Sequence, residues 1–241
     1  MGKLFVGTSG WVYKGWAGAF YPEDLAATKR LAFYASQFQS VEINATFYRL
    51  PTPNMVRGWA QQAPPGFVFA VKGSRFITHI KRLKVLKPSV AIFFRRIKAL
   101  KEHLGPILWQ LPPNMPKDLP RLDAFFKKLP TGYQHAVEFR HPSWNDEEVI
   151  SFLHERKAAF VSVSSMRMPM NVAITAEFVY LRFHGLAAGA AHDYTRDELK
   201  PWAAHCRAAL AKNRTVYAYF NNDWNVRAPK NAKELLELVS A

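Results

Sequence analysis

The sequence VYLRFH at residues 179–184 alternates apolar and polar side chains, and this alternation decides the fold. Successive side chains on a β-strand point to opposite faces, so Leu181 and Phe183 face one side and Arg182 and His184 face the other. A strand with one apolar and one charged face fits a parallel barrel, because helices cover the outer surface of such a barrel and polar groups point inward. The segment is therefore predicted to be one strand of a barrel.

Seven further segments have the character of strands. Most are rich in β-branched or aromatic residues and become polar at their C-terminal ends. The eight predicted strands are Leu4–Thr8, Ser40–Asn44, Phe67–Lys72, Ile107–Leu111, Ala136–Arg140, Phe160–Ser164, Val179–His184 and Thr215–Asn221.

Amphipathic segments separate these strands. Apolar residues recur at helical spacing in the segments that begin at Leu31, Val90, Leu122, Leu199 and Ala232. Shorter helices are predicted around residues 55–59 and 149–153, whereas residues 166–176 show no helical period. Alternating strands and helices imply parallel strands joined by right-handed crossovers.

Eight such units of roughly 30 residues match the chain length. The prediction is an α/β fold over residues 1–241, a single domain with a TIM-barrel-like (β/α)8 architecture or a slightly irregular variant of it. A doubly wound dinucleotide-binding fold is disfavoured, because no Gly-x-Gly-x-x-Gly follows the first strand.

The composition excludes several classes of protein. The chain has 241 residues, 49% of them hydrophobic, which suffices for one sizeable core. Its single cysteine, Cys206, excludes an internal disulfide framework and a zinc site built from several thiolates. No apolar run has the length of a signal peptide core or a membrane span, so we expect a cytoplasmic protein without membrane insertion. The formal net charge of +15 attracts anions.

Polar side chains at the ends of six predicted strands share the inward parity. They are Glu42, Asn44, Lys72, Gln110, Glu138, Arg140, Arg182, His184 and Asn221. In TIM barrels the C-terminal ends of the strands form the mouth in which active sites lie. Two interpretations follow, an active site at this mouth or an ion network that only fills the barrel.

Several blocks of sequence carry a family resemblance. They are GTSGW at residues 7–11, VEINATFY at 41–48, QLPP at 110–113, EFRHPSW at 138–144, LRFHG at 181–185 and FNND at 220–223. In order and spacing these blocks resemble the YecE-like proteins, domain-of-unknown-function family 72, over nearly the whole chain. The resemblance implies a TIM-barrel-like fold in a cytoplasmic bacterial or archaeal protein, and it implies no particular activity.

Two positions depart from the pattern of that family. Ala45 stands where a serine is more usual, which is a small change. Ser164 and Ser165 follow the sixth strand, where similar proteins lead us to expect an acidic residue. The missing carboxylate disfavours any mechanism that needs a full set of metal ligands.

The residue types at the mouth suggest roles. Glu42 and Glu138 are the candidates for proton transfer, with His184 as a relay or orienting group. Lys72, Arg140 and Arg182 would hold an anion. The further candidates for substrate binding are Thr8, Trp11, Asn44, Tyr48, Gln110, Trp144, Asn221 and Asn222.

The sequence requires no cofactor. A divalent metal would have Glu42, Glu138 and His184 as candidate ligands, with His141 or Asp223 as additions. However, no His-x-His or His-Glu-x-x-His spacing occurs, and the neighbouring cations oppose metal binding. Whether a metal binds therefore stays open.

A basic segment lies on the third predicted βα unit. Its residues Lys81, Arg82, Lys84, Lys87, Arg95 and Arg96 are accompanied by no acid before Glu102. The segment is either a phosphate-binding surface for nucleic acid or a solvated helix face.

These observations favour an enzyme that acts by acid/base chemistry on an anionic, hydroxyl-rich ligand such as a sugar phosphate or a nucleotide. Isomerase, lyase and hydrolase chemistry stay open, as does the oligomeric state. The alternatives are a nucleic-acid-binding or nucleic-acid-processing protein and a non-catalytic binder of a small ligand.

Overall fold

A computed structural model describes residues 2–241 of the chain. Eight parallel strands lie in the spatial order β1-β8-β7-β6-β5-β4-β3-β2. Their bounds are β1 Leu4–Thr8, β2 Ser40–Ile43, β3 Val68–Lys72, β4 Leu104–Gln110, β5 His135–Glu138, β6 Ala159–Ser165, β7 Phe178–Gly185 and β8 Thr215–Phe220. The predicted TIM-barrel-like fold is confirmed.

Helices follow seven of the eight strands. They are α1 Arg30–Gln37, α2 Ala45–Tyr48, α3 Pro53–Gln62, α4 Lys87–Ile97, α5 Leu119–Phe126, α6 Glu147–Glu155, α7 Arg196–Ala211 and α8 Arg227–Ser240. Residues 166–177 connect β6 to β7 without a helix, as the missing helical period in this segment indicates. The barrel is therefore the irregular variant of the (β/α)8 architecture.

Local sequence signals define where the helices begin. The hydroxyl of Thr52 accepts a hydrogen bond from the amide of Met55, and Pro53 occupies the first turn of α3. At α7 the side chains of Thr195 and Glu198 each accept a hydrogen bond from the other residue's backbone amide, forming a capping box. These caps fix the direction in which each helix leaves the end of its strand.

Two apolar layers result from the alternation of side chains on the strands. Outward residues such as Val41, Ile43 and Leu181 belong to a large core between the strands and the helices. Inward residues such as Phe5, Leu108 and Tyr217 form a smaller core inside the barrel. The inner core fills the N-terminal half of the barrel, so the polar inward residues lie above it at the C-terminal mouth.

The first and second strands meet at a seam that has little backbone pairing. A single bridge joins Ser9 to Glu42 at the mouth. Below it the hydroxyl of Tyr34, on α1, accepts a hydrogen bond from the amide of Thr8 at 2.8 Å and donates one to the carbonyl of Ser40 at 3.2 Å. A Cβ at Gly7 would lie 2.1 Å from the carbonyl oxygen of Ser40, so the close approach of the two strands requires glycine there.

Within residues 2–241, no helix combines the length and the apolar character needed to span a bilayer.

Candidate functional site

Arg182 joins the two carboxylates at the mouth of the barrel. Its Nε and Nη2 atoms donate to the two oxygens of Glu42 at 2.9 and 2.7 Å, and its Nη1 donates to Glu138 at 2.5 Å. The side chains of all three residues have no exposed surface. Strands β2, β5 and β7 thus contribute one charge each to a buried ion cluster, in which each carboxylate is paired with the guanidinium.

The hydrogen-bonding capacity of Glu42 is used within the protein. Besides Arg182, its carboxylate accepts hydrogen bonds from the hydroxyl of Ser9 at 2.8 Å and from the hydroxyl of Tyr180 at 2.7 Å. Each oxygen therefore accepts two hydrogen bonds. A carboxylate filled in this way orients Arg182 and has no exposed atom to offer a substrate.

Glu138 connects the buried cluster to groups nearer solvent. One of its oxygens accepts hydrogen bonds from Gln110 at 2.9 Å and from Nε of Arg140. Nε2 of His184 lies 3.1 Å from the same oxygen, and Nδ2 of Asn221 lies 3.2 Å from Nδ1 of His184. Nη2 of Arg140 and Nη1 of Arg182 lie 2.8 and 3.2 Å from the same Nε2, so this nitrogen faces two guanidinium donors as well as Glu138.

The two glutamates are held ionised against the effect of burial. Burial alone would raise the pKa of Glu42, but Arg182 and then Lys72 hold it below its usual range. Burial likewise opposes ionisation of Glu138, whereas Arg140 and Arg182 hold its pKa well below the usual value. Both groups are carboxylates at neutral pH, which makes them poor proton donors.

His184 is neutral at pH 7. Burial lowers its pKa to about 4, an effect that Glu138 opposes and Arg182 reinforces. A neutral imidazole here contributes no positive charge to stabilise Glu138, so that role belongs to the two arginines. The ring can accept a proton at Nδ1, and Glu138 is placed to stabilise the imidazolium that would form.

Lys72 is the cation of the mouth that lacks an anionic partner. It ends β3 with the inward parity, and 9% of its surface is exposed. Among residues 2–241 its Nζ has neither an ion pair nor a hydrogen bond, and it lies 4.4 Å from the centre of the Phe47 ring. Burial, and then Arg182, lower the pKa of Lys72 to about 8.

A cavity of about 310 Å³ opens beside the cluster, where Arg140 and His184 form part of its wall. The rest of its wall is formed by Ser165 and Gly185, which end β6 and β7, and by the loops that follow them. Gly185 has a φ of +85°, and a Cβ there would lie 1.7 Å from the carbonyl oxygen of Gly189. The glycine thus allows this loop to fold tightly at the rim of the cavity.

Four of the predicted substrate-binding residues do not face the mouth. The side chain of Thr8 has the outward parity and its hydroxyl donates to the carbonyl of Gly10. Trp11 packs edge-on against Trp59, and Trp144 stacks on Phe139 under the barrel rim. Asn222 is buried and donates to the carbonyl of His192. These four side chains support the loops, and the prediction that they contact a ligand lacks geometric support.

Asn44 and Tyr48 keep polar atoms that a ligand could contact. Nδ2 of Asn44 donates to the carbonyl of Ser9 at 3.2 Å, while its Oδ1 is buried without a hydrogen-bond partner among the described residues. Tyr48 has 77% of its surface exposed and lines an apolar groove with Phe76 and Ile92. Oδ1 of Asn44 is therefore an unpaired acceptor that the protein covers, whereas Tyr48 presents an exposed ring.

The structure adds four residues that the sequence did not suggest for catalysis or substrate binding; Asp223 was a candidate there only as a metal ligand. Ser9 and Tyr180 hydrogen-bond to Glu42. Burial, followed by Lys72, lowers the pKa of His79 to about 4. Burial raises the pKa of Asp223 to about 6, although Trp16 donates a hydrogen bond to it. The parity of Tyr180 with Arg182 was a usable signal, whereas the position of His79 depends on the turn after β3.

The metal-ligand candidates do not form a set of three, although Glu138 and His184 lie 3.1 Å apart. No group of three or more His, Cys, Asp or Glu side chains with suitable spacing occurs in the part of the chain that the structure describes. Glu42 and Glu138 face guanidinium groups, and Nδ1 of His141 lies 2.8 Å from the hydroxyl of Ser143. The two carboxylates are therefore arranged to bind arginine side chains and not a metal ion.

The basic segment lies at the surface beside the mouth. Lys81, Arg82, Lys84, Lys87 and Arg95 are exposed, and Arg96 is partly exposed. None of them has an ion pair with an acidic side chain in residues 2–241. The exposed ring of Phe76 contacts Lys81. Positive charge on this surface is therefore not neutralised by the protein.

Comparison with known proteins gives the relationship of the chain. The family model described as protein of unknown function DUF72 matches residues 5–241. The chain belongs to the DUF72 family. The predicted kinship with the YecE-like proteins is thereby confirmed.

Individual DUF72 relatives agree with this assignment. The UPF0759 protein YecE of Escherichia coli K12 is 31% identical over 159 residues, which is 64% of this chain and 56% of that protein. The UPF0759 protein YunF of Bacillus subtilis is 25% identical over 98% of this chain and 94% of its own length. A crystal structure of a DUF72 family protein from Thermotoga maritima superposes with a TM-score of 0.90 at 29% identity, covering 99% of this chain and 100% of that one. The chain thus spans little more than half of the length of the E. coli relative.

Proposed function

We propose that this DUF72 protein is an enzyme that acts on an anionic, hydroxyl-rich ligand of the sugar phosphate or nucleotide type, by acid/base chemistry at the mouth of the barrel. The observation that carries the proposal is the nearly buried ammonium of Lys72, which faces the mouth without a carboxylate partner. An unpaired buried charge costs several kcal/mol in effective terms, so a site of this kind favours an incoming anion.

The charges around Lys72 support the same ligand class. The carboxylates of Glu42 and Glu138 face the cations of Arg182, Arg140 and Lys72, which leaves one positive charge in excess. Arg140 is the guanidinium with exposed surface, since 23% of its side chain is accessible. Lys72 and Arg140 are therefore the groups assigned to the anion, and Arg182 is assigned to the buried frame.

Hydroxyl groups of the ligand would have neutral partners. The side-chain amides that could serve are those of Gln110, Asn221 and Asn44, which are each partly exposed. Oδ1 of Asn44 has no hydrogen-bond partner among the described residues. Amides can both donate and accept, which recognition of a hydroxyl requires. This combination favours a ligand that carries hydroxyl groups as well as an anion.

The proton-transfer group in this proposal is His184, held by Glu138. An oxygen of Glu138 lies 3.1 Å from Nε2 of His184 and would stabilise the protonated imidazole. Glu42 is assigned a positioning role in place of the proton transfer that the sequence led us to expect, because four hydrogen bonds already occupy its oxygens.

Matched pairs of ligands test the anion-binding part of the proposal. Fructose 6-phosphate and similar sugar phosphates should raise the melting temperature (Tm), whereas the unphosphorylated sugars at the same concentration should not. Arg140→Gln should remove the shift, and Arg196→Gln, at an exposed ion pair with Glu237, should retain it. Equal shifts with both sugars of a pair would contradict anion recognition.

Turnover tests the enzymatic part. Incubation with a panel of sugar phosphates and nucleotides, followed by NMR, should reveal conversion of one of them, and His184→Gln should retain binding while losing conversion. Binding without conversion across the whole panel would favour the non-catalytic binder.

The unpaired basic segment favours a second candidate, binding of single-stranded nucleic acid. Exposed cations would contact phosphates, and the exposed rings of Tyr48 and Phe76 offer surfaces for base stacking. Affinity for single-stranded and double-stranded DNA and RNA would be measured over a series of salt concentrations.

Exchanging Lys84 and Lys87 for Gln should weaken binding and reduce the slope of log K against log salt by about 0.7 per lost contact. The exchanges Lys157→Gln and Lys212→Gln, at exposed positions outside this segment, provide the matched control. Absence of binding at low salt would remove this candidate.

A further inference from the structure

We propose that Lys72 is an amine nucleophile that forms a reversible imine with an aldehyde or ketone group of an anionic substrate. This inference rests on the proposed function and deepens it, because it adds a carbonyl group to the ligand class and covalent catalysis to the mechanism.

The position of Lys72 differs from that of the other buried charges at the mouth. Glu42, Glu138 and Arg182 have charged partners at 2.5–2.9 Å. Nζ of Lys72 instead lies over the apolar face of Phe47. An amine that is neither hydrogen-bonded nor paired keeps its lone pair available once it loses a proton.

Burial and the neighbouring cations produce such an amine at neutral pH. The pKa of Lys72 is lowered to about 8, with burial as the largest cause, Arg182 as the next, and Glu42 and Glu138 opposing. About one tenth of such amines are uncharged at pH 7, compared with about one in 2,500 for a lysine of ordinary pKa near 10.4. The reactive fraction is thus raised about 200-fold.

A neutral imidazole contacts the same aromatic ring as the amine. The ring of His79 packs edge-on against Phe47 with the ring centres 4.9 Å apart, and Nζ of Lys72 lies over that ring. Nδ1 of His79 lies 2.9 Å from the hydroxyl of Thr78. Burial, and then Lys72, lower the pKa of His79 to about 4, so the imidazole is neutral at pH 7 and gives the amine no anionic partner.

The proposed step balances without an added oxidant or reductant. Lys72 reacts in its uncharged form, after its ammonium has released one proton to solvent, and the amine attacks the carbonyl carbon, forming the C–N bond. The former carbonyl oxygen takes up the proton lost by the nitrogen in the addition and one proton from solvent. It leaves as water when the C–O bond breaks, and the product is a protonated imine that carries the charge the ammonium carried.

The substrate class follows from the groups around this amine. Arg140 is the partly exposed guanidinium of the same mouth, and its charge also acts on Lys72, which suits a phosphate or carboxylate on the same molecule. A hydroxylated aldehyde or ketone that also carries such an anion matches the amine of Lys72, the guanidinium of Arg140 and the side-chain amides at the mouth. A protonated imine would then ease proton removal from the adjacent carbon or cleavage of the bond next to it.

Trapping with borohydride tests the inference on the unmodified protein. Pyridoxal 5′-phosphate is the anionic aldehyde probe, and pyridoxal is its counterpart without the phosphate. Borohydride delivers hydride to the imine carbon and converts the adduct to a stable secondary amine, which peptide mass spectrometry locates. Lys212, an exposed lysine at the end of α7, is the internal reference in the same sample.

The expected result is labelling of Lys72 by pyridoxal 5′-phosphate at pH 7 at least about 10-fold faster than labelling of Lys212, with inorganic phosphate slowing the reaction at Lys72 only. Labelling of Lys72 no faster than of Lys212 overturns the imine, even if sugar phosphates still raise the Tm and so support the proposed function. Equal, phosphate-insensitive labelling of Lys72 by both aldehydes supports the amine and overturns the anion site. The two proposals therefore fail separately.

Discussion

The variant Arg182→Met tests whether the buried guanidinium holds the mouth together. The exchange removes two hydrogen bonds from Glu42 and one from Glu138, and both carboxylates lack exposed surface. Removing one partner of a buried ion pair destabilises a protein by about 3–5 kcal/mol. At about 2–4 °C per kcal/mol for a chain of this size, the Tm should fall by roughly 6–20 °C.

The pH dependence of this loss has a defined sign. In the wild-type protein the folded-state pKa values of Glu42 and Glu138 are lowered. Their contribution is therefore present above the unfolded value, about 4.3, and is lost as the pH falls through the folded values. Without Arg182, burial should raise the pKa of Glu42 above the unfolded value, so the variant should recover stability as the pH falls from 7 toward 5. The gap between the two proteins should narrow over that interval.

Urea denaturation followed by tryptophan fluorescence measures the free energy of unfolding at each pH. Arg196→Met is the matched control, because Arg196 forms an exposed ion pair with Glu237 and its loss should change stability by less than about 1 kcal/mol. A loss as small as that of the control, or a gap that stays constant from pH 7 to pH 5, would refute the reasoning.

Three further exchanges test local features of the fold. Tyr34→Phe removes the hydroxyl that joins the first two strands and leaves the amide of Thr8 unpaired. The free energy of unfolding should fall by about 1–3 kcal/mol, and the Thr8 amide should exchange faster with solvent deuterium. Gly7→Ala places a methyl group 2.1 Å from the carbonyl oxygen of Ser40. The free energy of unfolding, measured with heat or urea, should fall by at least about 3 kcal/mol. An unchanged Tm would show that the two strands can separate. Thr195→Ala removes the hydroxyl of the α7 capping box, with an expected loss of about 1 kcal/mol by urea titration and no change in phosphate binding; a loss of ligand response would contradict a purely local role.

The sequence predicted the barrel because two periods were readable along the chain. The alternation of Leu181 and Phe183 with Arg182 and His184 indicated which face of a strand points inward, and the parallel arrangement then brought distant strand ends to one mouth. The ends of the strands were predicted less accurately than their existence. Strand β4 begins at Leu104, three residues before the predicted start. The prediction missed these residues because Gly105 and Pro106 are uncommon in strands.

The site was predictable where a side chain lies on a strand and less so where it lies on a loop. Parity placed Lys72 and Glu138 at the mouth. The same rule applied to β1 would have turned Thr8 outward, since Phe5 points inward and Thr8 has the opposite parity. Trp11 and Trp144 fold back beneath the loops, a choice made by tertiary packing that no local pattern reveals.

The spacing of charges along the sequence did not reveal which carboxylate would be saturated. Glu42 and Glu138 look equivalent in the sequence. In the structure Tyr180 and Ser9 hydrogen-bond to Glu42, whereas His184 and Arg140 connect Glu138 to the cavity. The difference arises from neighbours contributed by other strands, and it separates a positioning group from one that contacts a proton-transfer group.

The absence of a helix between β6 and β7 affects where the fold can accept an insertion. Residues 166–177 form an irregular segment, and a cavity of about 280 Å³ lined by Met168 and Trp202 lies beside it. Surface loops accept added residues more readily than packed elements do. The exposed residues Met166, Arg167, Pro169 and Met170 are therefore where a fused reporter should disturb the buried ion cluster least.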